Sequence, residues 1–345
     1  MIEIDGSEGE GGGQILRSSL SLAICTQQPF RITNIRANRE RPGLMRQHLA
    51  AVEAAAEICA AQVEGAELGA RALTFRPGRL AAGDYSFAIG TAGSCTLVFQ
   101  TILPALLTAA GESRVRITGG THNPSSPPFD FLARSFLPLL GRMGAGVELV
   151  LAGYGFFPRG GGEIRARIVP GARLKALNLQ ERGAWIRGYA EAYVSAIPLH
   201  VAQRELEVIG RTLGWSQEQL FLRGLPNDVG PGNTLTITLE YENVTEVFTG
   251  FGERGVRAET VAAQAAAAAR DYLSKTAPIG EHLADQLLLP MALGAGGCFV
   301  TSEVTPHLRS NAEVIERFTQ RRFAIEPVAG GFAIKTVPGT VFRPA

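Results

Sequence analysis

The chain has 345 residues, 46% hydrophobic and 19% charged, with a formal net charge of +1. That is enough apolar material for two cores, and a balance that excludes a disordered chain or a uniformly basic nucleic-acid coat. No apolar run reaches the roughly 18 residues that cross a bilayer. Residues 1–13 are acidic and glycine-rich, unlike a signal peptide, so the expected address is the cytoplasm with no membrane partner. Cys25, Cys59, Cys95 and Cys298 stand far apart in apolar settings without a C-x-x-C pair, which reads as reduced core residues.

In chain order, the glycine-rich start runs into an apolar helix over 14–25, a strand over 30–36, an arginine-rich loop and a helix opening near Pro42-Gly43, with strand material at 72–75. The same order returns as a helix after Gly93, a strand over 114–118, a loop over 119–128, a helix over 130–143 and strands over 147–151 and 163–168. It returns again as a helix over 282–293, a strand over 298–302, a loop carrying His307, a helix over 312–318 and strands over 323–327 and 332–336. Local echoes support three repeats: Arg31-Ile32-Thr33 with Arg116-Ile117-Thr118, and Gly11-Gly12-Gly13-Gln14-Ile15 with Gly160-Gly161-Gly162-Glu163-Ile164. Between the second and third repeats lies an extra segment with its own alternation: strand 185–194, helix 198–213, strands 220–223, 234–239 and 244–248, and helix 258–273. The expected fold is α/β (α+β), a large domain of three repeated helix/sheet units (1–181 and 277–345) plus a smaller inserted α/β domain (182–276). Equivalent loops of the repeats would meet at one sheet edge. That brings Arg36, Arg39 and Arg41, then His122 and Asn123, then His307, Arg309 and Asn311 toward a shared cleft.

The chemistry-bearing residues cluster in those loops. Arg17, Arg31, Arg36, Arg39, Arg41 and Arg46 fall in a stretch with one acid, Glu40, a concentration of phosphate ligands. The glycine run before the first helix offers free N–H groups to an anion, and Glu10 beside it can hold a divalent cation. It is neither a Walker loop nor a dinucleotide fingerprint. Of five histidines, His307 is the best placed, because Pro306 excludes a regular strand donor while Arg309, Ser310 and Asn311 supply anion-binding and capping groups. Its neutral imidazole can attack phosphorus; none of Lys175, Lys275 and Lys335 lies in a promising loop.

Ordered motifs along the chain carry a resemblance. They are Asp5-Gly6 through Glu10-Gly11-Gly12-Gly13-Gln14-Ile15-Leu16-Arg17, Arg36-Ala37-Asn38-Arg39 through Pro42-Gly43-Leu44, and Arg46-Gln47-His48-Leu49. Gly93-Ser94-Cys95-Thr96 to Gln100, Gly230-Pro231-Gly232-Asn233, Leu283-Ala284-Asp285-Gln286-Leu287 and Pro306-His307-Leu308 with Asn311 follow. Together they resemble the RNA 3'-terminal phosphate cyclase family over essentially the whole length. The resemblance implies an enzyme that uses ATP to turn an RNA 3'-phosphate end into a 2',3'-cyclic phosphate through histidine-AMP and RNA-adenylate intermediates. It implies His307 as nucleophile; Gln100, Pro127, His282, Leu283, Ala284, Asp285 and Gln286 as ATP ligands; Arg17, Arg36, Arg39, Gln47 and His48 around phosphates; and Glu10 on Mg²⁺ or Mn²⁺. No obligate protein partner is implied. The family commonly has tyrosine where this chain has His282; either ring can stack on adenine. Two other readings share the outline: a non-catalytic RNA-binding relative in ribosome assembly, which would lack the nucleophile, and an enolpyruvyl-type transferase built from similar repeats.

Overall fold

The computed structural model of the chain describes residues 1–171 and 173–338. Three of its four sheets follow one recipe, β-α-β-α-β-β. The first two strands lie parallel across a helix, and the last two form a hairpin whose second arm joins the second strand. In the first repeat, Ile2–Asp5 and Phe30–Thr33 pair around the helix Gly13–Thr26, and after the helix Arg46–Cys59 the chain returns through Gln62–Glu64 and Leu73–Arg76. In the second, Asp84–Ala88 and Ser113–Gly119 pair around Cys95–Leu106, and the hairpin is Gly146–Gly153 with Gly162–Val169. In the third, Leu177–Leu179 lies beside Gly297–Thr301, with Arg321–Val328 and Gly331–Pro338 as the hairpin.

The repeats read from sequence are present, and each gains an opening strand that periodicity did not reveal. Those strands are only 3 to 5 residues long, and in Asp84–Ala88 Phe87 alone is buried. Such a run is too short and too exposed for an alternation to register. The strand expected over 30–36 stops at Thr33, since Asn34 and Arg36 turn the chain with φ of 52° and 54°. The next helix starts at Arg46 rather than near Pro42-Gly43, because the N–H groups of Gly43 and Leu44 are already committed to Ile35 O and Ala70 O. The helix expected over 130–143 is a composite, with a π-helical turn at Leu132–Phe136.

The last helix needs the largest revision. It runs Pro306–Phe318, so His307 stands in a first helical turn and not in a loop. Thr305 caps it by accepting from the Leu308 N–H at 3.1 Å, and Pro306, read in sequence as excluding a strand donor, fills the first helical position, where its missing N–H is no loss.

The helices of the three repeats share one apolar body. Phe30 of the first sheet packs on Phe75 and, edge-on, on Phe318 of the third repeat, at centroid distances of 5.9 and 5.8 Å. The extra segment forms its own sheet, ordered Leu220–Gly224, Trp185–Ser195, Gly232–Tyr241, Thr245–Phe251, covered by the helices His200–Leu213 and Ala258–Ser274. Ala190, Leu235, Ile237, Ala262 and Ala266 make its separate core. It enters after the opening strand of the third repeat, and so lies inside that repeat rather than between two repeats. Arg182 ties its two ends, donating to Tyr272 O at 2.7 Å and Ala277 O at 2.9 Å with its guanidinium over the Tyr272 ring. Among the described residues, no helix is long and apolar enough to cross a membrane.

Candidate active site

One helix face organises the site. Gln14, Arg17, Ser18 and Ser21 recur at helical spacing along Gly13–Thr26 and line a cleft of about 1130 Å³. Arg39, Gln100, Pro127, His282, Asp285, Gln286 and His307 line the same cleft, which brings together residues far apart in sequence.

The centre of the cleft is a chain of hydrogen bonds. His307 Nδ1 lies 3.0 Å from Gln14 Oε1, and Gln14 Nε2 donates to Asp285 Oδ2 at 2.7 Å. When ionised, the Asp285 carboxylate only accepts, so the Gln14 amide faces it with its nitrogen and offers its oxygen to His307. That assigns the proton to Nδ1 and leaves the Nε2 lone pair free. Nε2 points toward Glu10, whose Oε1 is 3.7 Å away. Burial, reinforced by Arg39, Arg17 and His282, holds the His307 pKa below the ordinary imidazole value and keeps the ring neutral and nucleophilic. Asp285 is buried, and burial pushes its carboxyl up to about 7 against the pull of Gln14 and Arg17. Asn311 donates to the Asp285 main-chain oxygen at 2.7 Å and accepts from Ser18 Oγ at 2.7 Å. Gln100 Nε2 donates to Gln286 Oε1 at 2.5 Å.

Glu10 is shared. Its Oε1 pairs with Arg39, while its Oε2 is buried without any hydrogen-bond partner. An orphaned, shielded carboxylate oxygen fits a hard divalent cation that takes one or two protein oxygens and fills its other positions with water and phosphate. No group of three or more His, Cys, Asp or Glu side chains among the described residues could cage a metal alone.

A second group sits at the start of the same helix. A side chain at Gly13 would come within 2.5 Å of His48 Nε2 and 2.8 Å of Arg17 Nη1, so both flank the bare glycine. His48 is buried, accepts from the Met45 N–H at 3.3 Å, and is pushed down to about 3, by burial first and then by Arg17 and Arg36. Arg17 is lowered to about 10, mainly by burial. Gln47 accepts from the Ser94 N–H at 3.1 Å, and Arg36 donates to the carbonyls of Arg41 and Gly43.

Some candidates stand elsewhere. Arg36, Gln47 and His48 do not line the cleft, and the Leu283 and Ala284 side chains are fully buried in the core. His122 and Asn123, expected at the shared edge, turn inward: His122 is buried against Tyr154 and Phe156 and holds Asp130 at 3.0 Å, and Asn123 donates to Ala92 O. The second repeat lines the cleft instead with residues 124–128. Sequence reasoning named the glycine run but missed Gln14, Ser18 and the bonding role of Asn311. The available signal was the polar stripe 14, 17, 18, 21 along a largely apolar helix.

The raised carboxyl of Asp285 has a stability signature. Between its ordinary value of 3.8 and about 7 the folded protein holds a proton that the unfolded chain has released, so this group's contribution falls as pH rises across that window and is level above it. Asp285→Asn removes that slope. Thermal unfolding from pH 4 to 8 should show the variant gaining on the wild type as pH rises to about 7; parallel curves would contradict the buried carboxyl.

Residues 8–325 match the profile of the family described as RNA 3'-terminal phosphate cyclase. The chain is 54% identical to the RNA 3'-terminal phosphate cyclase of Koribacter versatilis over 325 residues, covering 94% of this chain and 92% of that protein. It is also 54% identical to the one of Pseudomonas fluorescens over 329 residues, 95% of each chain. Among solved structures, the enolpyruvyl transferase NikO from Streptomyces tendae is similar at 12% identity and a TM-score of 0.37, over 97% of this chain, which spans about half (48%) of that one. With a family profile and two relatives matched over nearly the whole length, the chain belongs to the RNA 3'-terminal phosphate cyclase family.

Proposed function

We propose that the protein uses ATP to convert an RNA 3'-phosphate end into a 2',3'-cyclic phosphate, with His307 as the residue that carries AMP. The supporting observation is the His307 ring, held by Gln14 at Nδ1 and open at Nε2 within the cleft. Nε2 attacks the α-phosphorus of ATP, a P–N bond forms and pyrophosphate leaves. An RNA 3'-phosphate oxygen then takes the adenylyl group and frees the histidine. The neighbouring 2'-hydroxyl attacks the terminal phosphorus, closing the ring and expelling AMP, a step that needs RNA rather than DNA.

Gln14 is a positioning residue in this reading, fixing the tautomer through Asp285. His282 and Pro127 offer faces for adenine, and Gln100, Asp285 and Gln286 its polar contacts. Leu283 and Ala284, with buried side chains, are left only their main chain to offer. Arg17, Arg36, Arg39, Gln47 and His48 receive phosphates, and Glu10 would hold Mg²⁺ or Mn²⁺. The cation would offset charge on the α-phosphate and the leaving pyrophosphate. Residues 1–181 and 277–345 make the catalytic domain, with 182–276 as the inserted one. A cytoplasmic site of action, where ATP and RNA ends meet, fits this reading.

Incubation with α-labelled ATP and Mg²⁺ should give a protein label that is acid-labile and alkali-stable, as a phosphoramidate is, and His307→Ala should abolish it. A His307→Ala protein that still labels fully would sink the assignment. Gln14→Ala should slow self-adenylylation about 10- to 100-fold, the usual cost of losing a bond that orients an imidazole, with KM for ATP nearly unchanged; a change confined to KM would mean that Gln14 only binds nucleotide. Arg39→Ala should slow transfer to an RNA 3'-phosphate more than self-adenylylation. Equal loss in both steps would assign Arg39, which pairs with Glu10, to the ATP side.

A further inference from the structure

Two glycine motifs take no part in the chemistry above: Gly160-Gly161-Gly162 in the second repeat and Gly230-Pro231-Gly232-Asn233 in the inserted segment. They meet around one loop. A side chain at Gly232 would run into the Phe156 ring, and one at Gly230 (φ 93°) would come within 2.5 Å of Arg159 Cδ. On the loop's other flank, a side chain at Gly160 would lie 2.8 Å from Ala92 Cα, and one at the adjoining Gly93 would lie 2.9 Å from Gln47 Cβ. The bond from Gly160 N–H to Phe156 O, at 2.7 Å, closes the turn. Residues 156–160 are therefore wedged between the inserted sheet and the turn whose next residue, Ser94, donates to Gln47.

This wedge presents Phe157, 67% exposed, and beside it the exposed Arg159. A single exposed aromatic is ordinary. Here it stands two residues from an arginine whose stem is seated against Gly230, on a loop packed against Ala92, whose neighbour Gly93 lies against Gln47. An aromatic face with a guanidinium alongside is the combination that stacks bases and holds the backbone of single-stranded RNA. We infer that the 156–160 loop is a second RNA subsite, in which a base upstream of the terminal phosphate stacks on Phe157 and Arg159 holds a backbone phosphate. The inference rests on the RNA-end reading, which has Arg17, Gln47 and His48 among the residues that receive phosphates; Gly93 lies against Gln47 on the side of the loop. It also gives the inserted segment a task, since Gly230 and Gly232 form the seat of the loop.

The test is the binding of a labelled, 3'-phosphorylated oligoribonucleotide and of a labelled nucleoside 3'-phosphate, followed by fluorescence anisotropy. The nucleoside 3'-phosphate has no upstream base to stack. Phe157→Ala should weaken the oligomer by about 5- to 100-fold, the range for losing one stacked base, and leave the nucleoside 3'-phosphate unchanged, while Phe157→Trp keeps the wild-type affinity. Arg159→Ala should lower the salt dependence of oligomer binding by about one phosphate contact. Equal weakening of both ligands by Phe157→Ala, or weakening of neither, would overturn the subsite. Because the readout is binding, a protein that discriminates in this way but forms no cyclic phosphate would refute the activity and support the subsite.

Discussion

The site depends on how closely the helix Gly13–Thr26 packs between one helix from each of the other two repeats. Ser21 donates to Thr101 O of Cys95–Leu106 at 2.6 Å, and Ser18 donates to Asn311 of Pro306–Phe318 at 2.7 Å. Hydroxyls buried in such seams are short enough for close approach, and each left unpaired would cost about 1–3 kcal/mol. Their pairing fixes the rotation of the helix. One turn earlier on the same face, Gln14 and Arg17 are thereby aimed at Asp285 and the cleft. Asn311 then bonds the main chain of Asp285, which bonds Gln14, which bonds His307 on the helix that carries Asn311. The loop of contacts closes through three helices, which hold the His307 ring more accurately than a surface loop could.

The charges follow from that packing. Burial first, and then the repulsion of Arg17, Arg36 and Arg39, hold both His48 and His307 neutral. Arg17, even lowered to about 10, stays protonated at neutral pH. The resting site thus keeps its arginines charged and its histidines uncharged, short of negative charge at the place where a polyphosphate or an RNA end would supply it. Positive charge fixed in advance of the ligand stabilises a phosphorus centre without reorganisation during the reaction. Glu10 fits this balance: Arg39 offsets one carboxylate oxygen, and the other is kept dry and unpartnered.

Much of this was legible in the sequence where a physical period exists. Helices and hairpins of eight or more residues repeat an apolar pattern often enough to be seen, and the inserted elements from Trp185–Ser195 to Ala258–Ser274 lie within a few residues of their expected spans. What escaped was short or ambiguous. Ile2–Asp5, Asp84–Ala88 and Leu177–Leu179 are edge strands with too few residues for a pattern, and missing the last of them put the insertion at a repeat boundary instead of inside the third repeat. Pro306 could break a helix or begin one, and only the Thr305 cap distinguishes the two. His122 and Asn123 sit in the right loop with the wrong orientation, which composition cannot encode; a buried partner, Asp130, decides it.

The position of the insertion inside the third repeat has a mechanical consequence. It leaves the body after Leu177–Leu179 and returns just before Glu281–Leu293, the helix that carries His282, Asp285 and Gln286. The strand Thr245–Phe251 sends Val247 into the main core and sets Glu246 against the start of that helix, where its Oε1 accepts the Gly280 N–H at 2.7 Å. A helix start leaves such N–H groups without intrahelical partners, so this bond both satisfies a donor and fixes the helix end. Burial pushes Glu246 up to about 8, so it sits there neutral at physiological pH and adds no buried charge. The inserted sheet is therefore anchored at the root of the helix that supplies Asp285, the residue that bonds Gln14.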